Sequence, residues 1–263
     1  MKSVVTRLAV LVCLLALPTT AAHAVNIGTL HCNDASGTSL NVGAIVTITG
    51  VVTGSWPTAT SGRFYVQDAT GGINVFGAPP QFCGSLGDQV QVTGTISQFN
   101  GLVEVGNPLT IVPLSSGNPQ PPPLQMSPNQ MNATYQADNC EPNESRLVQV
   151  QNVYIRTATG GMPGPTYAGN TNYMLIDAAP DSALNNTIMR DVTIAGCSQT
   201  NPLTGQPIPL IAVDVIGVVN QFVSTAPFTS GYQLQPRAPA DVSPTAVTPT
   251  TPSSWGRLKS IYR

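Results

Sequence analysis

Short runs in which β-branched and other apolar residues alternate with polar ones recur along this chain, separated by Gly, Pro, Asn and Asp. Ile45 to Thr53 is the first, broken by Gly50 as at a bulge or sharp bend. Arg63 to Ala69 and Gly72 to Phe76 alternate on either side of Thr70-Gly71-Gly72, the pattern of a hairpin. Gln89 to Gln98 and Leu102 to Val112 flank Asn100-Gly101, a strong hairpin turn because both positions tolerate positive φ. In the second half the runs are Arg146 to Thr157, Asn172 to Asp177, Thr187 to Ala195, Leu210 to Phe222 and Tyr232 to Pro236. No segment longer than a few residues shows a 3.6-residue period. The expected class is therefore all-β, with five strands in each half. The long, glycine-interrupted first and fourth strands of each set predict sheets that curl and close.

The halves are copies. Val90-Gln-Val-Thr-Gly-Thr-Ile-Ser-Gln-Phe99 reappears as Val213-Asp-Val-Ile-Gly-Val-Val-Asn-Gln-Phe222, 123 residues on. Phe64-Tyr-Val-Gln-Asp-Ala69 answers to Tyr173-Met-Leu-Ile-Asp-Ala178, 109 residues on. A repeat of this length is a duplicated domain, not a solenoid unit. The boundaries read as a first module over residues 25–113, a proline-dense connector over 114–130 centred on Pro121-Pro-Pro123, and a second module over 131–242. Leu124, Met126 and Met131 are apolar enough for the end of the connector to pack on the second module. Residues 243–263 read as a disordered Thr/Ser/Pro linker with a Trp255-to-Arg263 tail of the kind a surface-sorting tag would have.

Residues 1–24 have the pattern of a secretory signal. Lys2 and Arg7 precede an apolar run from Leu8 to Leu17, and Ala22-His23-Ala24 offers a cleavage site after Ala24. The apolar run is too short to span a bilayer, so no membrane span is expected and the mature protein is expected outside the cell or on its surface. Cleavage removes Cys13 and leaves Cys32, Cys83, Cys140 and Cys197, two per copy. An even number in an exported chain favours disulfides, and the repeat favours Cys32–Cys83 and Cys140–Cys197. With no CxxC pair and only His31 surviving cleavage, neither a metal site nor any other cofactor is expected.

Charge is scarce, at 8% Asp, Glu, Lys and Arg, against about 25% in typical soluble domains. After loss of Lys2 and Arg7 acidic side chains outnumber basic ones. A surface of this kind has little field to steer polyanions, which disfavours, without excluding, a nucleic-acid partner.

Val46-x-Ile-x-Gly-x-Val52, Arg63-Phe-Tyr-Val-Gln-Asp-Ala-Thr-Gly-Gly-Ile-Asn-Val75 and Gly87-Asp-x-Val-x-Val-x-Gly94 together resemble the secreted bacterial OB-fold, an accessory module of extracellular nucleases and surface proteins. In the second copy Glu144 to Val153 and Gly231-Tyr-Gln-Leu-Gln-Pro-Arg237 resemble the same group. The resemblance implies two tandem five-stranded Greek-key OB-like barrels. It also implies a binding surface on the outer face of the second and third strands with its flanking loops. The second copy departs from the pattern at Asp177-Ala-Ala-Pro-Asp181 and in an insertion near Asn201 to Pro209.

No nucleophile–base pair, paired carboxylates or nucleophile elbow is visible, so no catalytic residues are assigned and the chain is expected not to be an enzyme. His31, beside a cysteine near the mature N-terminus, is expected exposed or half-packed. Asp68 and Asp177, equivalent strand-end positions, are expected to close turns on backbone N–H groups. Glu141 and Glu144 are expected to cap or contact a neighbouring strand, with calcium as the alternative. Period-two alternation places Phe64, Val66, Ile73 and Val75 in the core and Tyr65, Gln67, Asn74 and Phe76 outside. Tyr65, Asn74 and Phe76, bordered by Trp56 and Arg63, form the candidate ligand-binding face, since aromatics beside amides suit stacking on a base or sugar ring. The competing expectation is that the other module or the connector covers it. The leading functional expectation is a non-catalytic secreted or cell-surface binding or assembly protein, whose partner is a protein, a glycan or a further copy of itself. The alternatives are a nucleic-acid-binding accessory module and a self-assembling extracellular structural subunit.

Overall fold

The computed structural model describes residues 24–57, 61–78, 84–177, 186–192 and 203–246. The expected signal segment, Cys83, Cys197, the positions after Asp177 in the divergent loop and the tail beyond residue 246 lie outside the described residues. No described helix is long and apolar enough to cross a membrane.

The first copy folds as β1 (Ile45–Ser55), β2 (Gly62–Gln67), β3 (Gly72–Ala78), β4 (Gln89–Phe99) and β5 (Leu102–Ser115). They close into a barrel in the order β1-β2-β3-β5-β4, with β4 pairing back onto β1. The β3–β5 pair is parallel and the rest are antiparallel. The second copy follows β6 (Leu124–Met126) and a five-residue helix α1 (Pro128–Asn132). Its strands are β7 (Leu147–Thr157), β8 (Thr171–Asp177), β9 (Asn186–Asp191), β10 (Val213–Gln221) and β11 (Tyr232–Gln235), followed by β12 (Val242–Pro244). They repeat the topology, β7-β8-β9-β11-β10 with β10 pairing onto β7, and β9–β11 is parallel. These are two tandem OB-like barrels, each of five strands, with β6 and β12 added at the margins of the second.

Alternation accounts for the cores. Phe64, Val66, Ile73 and Val75 are wholly buried in the first barrel with Ile48, Val52, Val90 and Val92. The second barrel buries Val148, Val150, Ile155, Leu175, Val213 and Val215, and takes in Met126 and Met131 from the end of the proline-rich stretch. The V-x-V-x-G motif of each copy also has a physical reason. A Cβ on Gly94 would stand 2.6 Å from the Gly106 carbonyl oxygen, and one on Gly217 would stand 2.7 Å from that of Gln235. In both copies the fourth strand lies too close to the fifth for any side chain at that position.

The barrels are joined by the face that the sequence offers as a ligand surface. Trp56 and Tyr65 of the first barrel and Leu147 and Val218 of the second form one buried cluster. Trp56 meets Tyr65 edge-on, with ring centroids 5.3 Å apart. Two polar contacts cross this seam. Asn220 Nδ2 donates to the Tyr65 hydroxyl at 2.6 Å, and Leu147 N donates to Gln67 Oε1 at 2.8 Å. A second tie runs through Arg237, which is ion-paired to Asp241 at 2.8 Å and donates to the Thr53 carbonyl at 3.1 Å.

The disulfide expectation is corrected. Cys32 is bonded to Cys140, so neither Cys32–Cys83 nor Cys140–Cys197 forms. The two cysteines are equivalent in the repeat, 108 residues apart, on the segments that lead into β1 and β7. Those segments run antiparallel, with Asn33 N donating to the Asn139 carbonyl and Glu141 N to that of His31, both at 2.9 Å. The repeat therefore pairs like with like across the modules instead of closing each module on itself.

His31 is also corrected: it is buried, not exposed. Its Nε2–H donates to the Gly72 carbonyl at 2.6 Å. Burial lowers its pKa to about 4, leaving the ring neutral at physiological pH. Nδ1 lies 3.8 Å from Glu144 Oε1, which accepts from Val103 N of the first barrel at 2.7 Å. Glu141 accepts from Asn33 Nδ2 at 2.6 Å and from the Tyr232 hydroxyl. Burial raises the pKa of both glutamates, and the Glu141 charge pushes Glu144 higher still. These two carboxyls are parts of the junction. Asp68 behaves as expected, with Oδ1 accepting from Thr70 N at 2.7 Å and Gly71 N at 2.9 Å.

Because the Cys32–Cys140 bond closes so long a loop, chain entropy assigns it about 4–5 kcal/mol. Replacing both cysteines by serine is expected to lower the guanidinium unfolding free energy by that order. Peptide mapping of the oxidised protein should recover residues 32 and 140 in one cross-linked fragment. A Cys32–Cys83 fragment would contradict the structure.

Candidate functional site

Beyond the edge of the seam the two barrels part and leave a cleft of about 370 Å³. From the first barrel it is lined by Arg63 on β2, Asn74 and Phe76 on β3, Phe99 at the end of β4, and Glu104 on β5. From the second it is lined by Asn172 on β8, Arg190 on β9, Asn220 and Gln221 on β10, and Gln233 and Gln235 on β11, with Phe222 directly after β10.

Of the five candidate residues read from the sequence, the structure brings Arg63, Asn74 and Phe76 to this cleft. Trp56 and Tyr65 are fully buried in the seam, where the other barrel covers them. The second strand is thus divided: Tyr65 and Gln67 join the barrels, while Arg63, one residue pair nearer its start, borders the opening.

Equivalent positions of the repeat meet here. Phe99 and Phe222 are the two copies of the Gln-Phe that ends each fourth-strand motif, and both line the cleft. Arg63 and Asn172 are equivalent as well, each one residue before the repeated second-strand motif. The repeated Gln-Phe was the signal that could have located the site, because nothing in strand packing requires an aromatic at the solvent end of a strand. Phe76, Phe99 and Phe222 are 41%, 62% and 55% exposed, so three large apolar rings stand around one opening. Glu104, Arg190 and Gln233 gave no signal in the sequence, since each is a single polar residue in an alternating strand.

The polar lining is incompletely satisfied. Asn74 Nδ2 donates to Glu104 Oε2 at 2.9 Å, but Asn74 Oδ1 has no hydrogen-bond partner although the residue is buried. Gln221 Oε1, Gln233 Oε1 and Arg63 Nε are likewise buried and unpartnered. Orphaned groups of this kind each cost about 1–3 kcal/mol, and these four differ from those in the closed junction in lining an opening where a ligand would complete them.

Two cations share the cleft. Arg63 stacks over the Trp56 ring at 5.7 Å and reaches Gln235 Oε1 at 3.4 Å. Arg190 donates to Asn172 Oδ1 at 2.8 Å and to Asn170 Oδ1. Among the described residues neither is ion-paired. Burial and the Arg63 charge lower the pKa of Arg190. Glu104 is shifted upward to about 7 by burial, against the opposing pull of Arg63 and its hydrogen bonds. Its carboxyl therefore changes state near neutrality.

No family model matches the chain. Endonuclease YhcR of Bacillus subtilis (strain 168) is 24% identical to it over 221 residues, which cover 82% of this chain and 16% of that protein. The similarity thus extends over most of the two barrels and corresponds to a small part of the relative.

Folding places Glu104 where its proton is held more tightly, so its ionisation works against the native state as pH rises from the ordinary carboxyl range through about 7. Glu104→Gln removes that dependence. The variant is expected to match the wild type in urea unfolding at pH 4 and to exceed it by about 1–3 kcal/mol at pH 8. A difference that does not change with pH would show that Glu104 ionises as freely in the folded protein as in the unfolded chain.

Proposed function

We propose that this chain is a non-catalytic, exported binding module whose ligand seats in the cleft between its barrels. The observation that carries this reading is the coincidence, at one opening, of three exposed phenylalanines and buried amide oxygens that lack partners. Export is supported by the signal pattern of residues 1–24 and by a disulfide, which persists in oxidising compartments. The non-catalytic reading is supported by the structural work of several titratable groups: His31, Glu141 and Glu144 serve the junction, and Asp68 serves a turn.

An accessory role beside nucleic-acid chemistry is a second reading. It is favoured by the similarity to part of an endonuclease and by the two arginines of the cleft, which form no ion pair among the described residues.

The test is a binding screen of the mature protein against oligosaccharides, single-stranded oligonucleotides and peptides, repeated with a Phe76→Ala/Phe222→Ala double variant. Both rings are exposed, so the fold should persist. Binding found for the wild type is expected to weaken at least tenfold in the variant. Ligand binding that is unchanged by both substitutions would place the function elsewhere on the molecule.

A further inference from the structure

We propose that the inter-barrel cleft is a site for one nucleotide unit, with phosphate held by Arg63 and Arg190 and the base held among the phenylalanine rings and the unpartnered amide oxygens. This rests on the reading of the cleft as the binding site and adds the chemical class of the ligand.

Three features select that class together. Arg63 and Arg190 sit close enough for one charge to disfavour the other, and neither is neutralised by an ion pair among the described residues. Two half-buried guanidinium groups lining one cleft favour a ligand with concentrated negative charge, and a guanidinium presents its donors in a fork that suits phosphate oxygens. Phe76, Phe99 and Phe222 offer flat apolar faces to solvent, which are stabilised by stacking against a planar ring, at about 1–3 kcal/mol per base. Asn74 Oδ1 and Gln233 Oε1 are buried acceptors without donors, complementary to the ring and exocyclic N–H groups of a base. A simple anion would leave the rings and acceptors unused, and a neutral sugar would leave the arginines unused.

Size and charge narrow the proposal further. A volume of about 370 Å³ is of the order of a single nucleotide and excludes a duplex. The scarcity of basic residues elsewhere means that affinity must come from the cleft and not from a charged track. The site also needs both barrels, because Arg63 and Arg190, and likewise Phe76 and Phe222, come from different copies. It is not a property of either barrel alone. A free nucleotide and an unstacked nucleotide of a single strand present the same chemistry.

The experiment uses the oxidised mature chain and a fluorescein-labelled, mixed-sequence single-stranded DNA pentamer, read by fluorescence anisotropy at several salt concentrations. Unlabelled competitors are 5′-mononucleotides, an abasic sugar-phosphate pentamer and an oligogalacturonate pentamer. The pentanucleotide is expected to bind, with at least tenfold loss in Phe222→Ala, Arg63→Gln and Arg190→Gln. The Arg63→Gln/Arg190→Gln double variant should also lower the salt slope by about 0.7, the share of one phosphate. Circular dichroism confirms that each variant is folded. Competition by mononucleotides at matching affinity supports the proposal with a free nucleotide as ligand. Competition by strands alone supports it with a polymer. An abasic pentamer that competes as well as the pentanucleotide overturns it, because the base is then not read. Oligogalacturonate binding that depends on Phe222, without nucleotide binding, overturns the nucleotide class but leaves the cleft as the binding site. Absence of binding by every probe overturns the nucleotide class, and the cleft reading then stands or falls on the wider ligand screen.

Discussion

Tyr65 projects from the outer face of one barrel and is covered completely by the other, with its hydroxyl held by Asn220 and its ring wedged against Trp56. The arrangement of the whole molecule depends on this contact. An outward aromatic on a barrel strand would ordinarily meet water. Here its burial with Trp56, Leu147 and Val218 contributes about 1.5–3 kcal/mol for each large side chain removed from solvent. Each polar group trapped beside it reduces that gain unless it finds a partner. Gln67 does so by accepting from Leu147 N, and Gly72 allows it by having no side chain, since a Cβ there would lie 2.0 Å from the Ser145 carbonyl oxygen. The approach of the barrels is set by backbone contact and not by flexible side chains.

Beside that contact the His31, Glu141 and Glu144 cluster is kept almost free of charge. His31 is held neutral by burial, and the carboxyls of Glu141 and Glu144 are pushed toward their protonated forms. A buried charge without a matched partner would cost several kcal/mol, whereas neutral donors and acceptors in register cost little. The cleft is built on the opposite principle. It retains two arginines, a glutamate poised near neutrality and several amide oxygens without partners. The junction is closed to solvent around neutral groups, whereas the cleft is open and keeps its two cations beside exposed rings.

Much of the fold was legible because strand pairing follows from local pattern. Alternation located Phe64, Val66, Ile73 and Val75 in a core, and the V-x-V-x-G repeat located the strand whose glycine lies against its neighbour. The resemblance then supplied the order in which five strands close. The relation between the copies was not legible. A sequence repeat says that two modules are alike and is silent on which surface of one meets which surface of the other. The disulfide expectation failed for that reason: Cys32 could equally bond within its copy or with its equivalent, and only the antiparallel lead-in segments decide. The candidate site was partly legible for the same reason. Alternation grouped residues of β2 and β3 on one outward face, but the seam runs through that face, taking Tyr65 and leaving Arg63, Asn74 and Phe76 at the cleft. The contribution of the second copy, Arg190 and Gln233 above all, had no local pattern to announce it.

The central claim is that the buried seam makes two barrels into one cooperative body with a cleft of fixed shape. Scanning calorimetry of the oxidised mature chain tests it most directly. A single endotherm whose calorimetric enthalpy equals its van 't Hoff enthalpy is the predicted result, because neither barrel can unfold without exposing Trp56, Tyr65, Leu147 and Val218. Two resolved transitions, each with the enthalpy of one barrel, would contradict the account and reduce the junction to a tether.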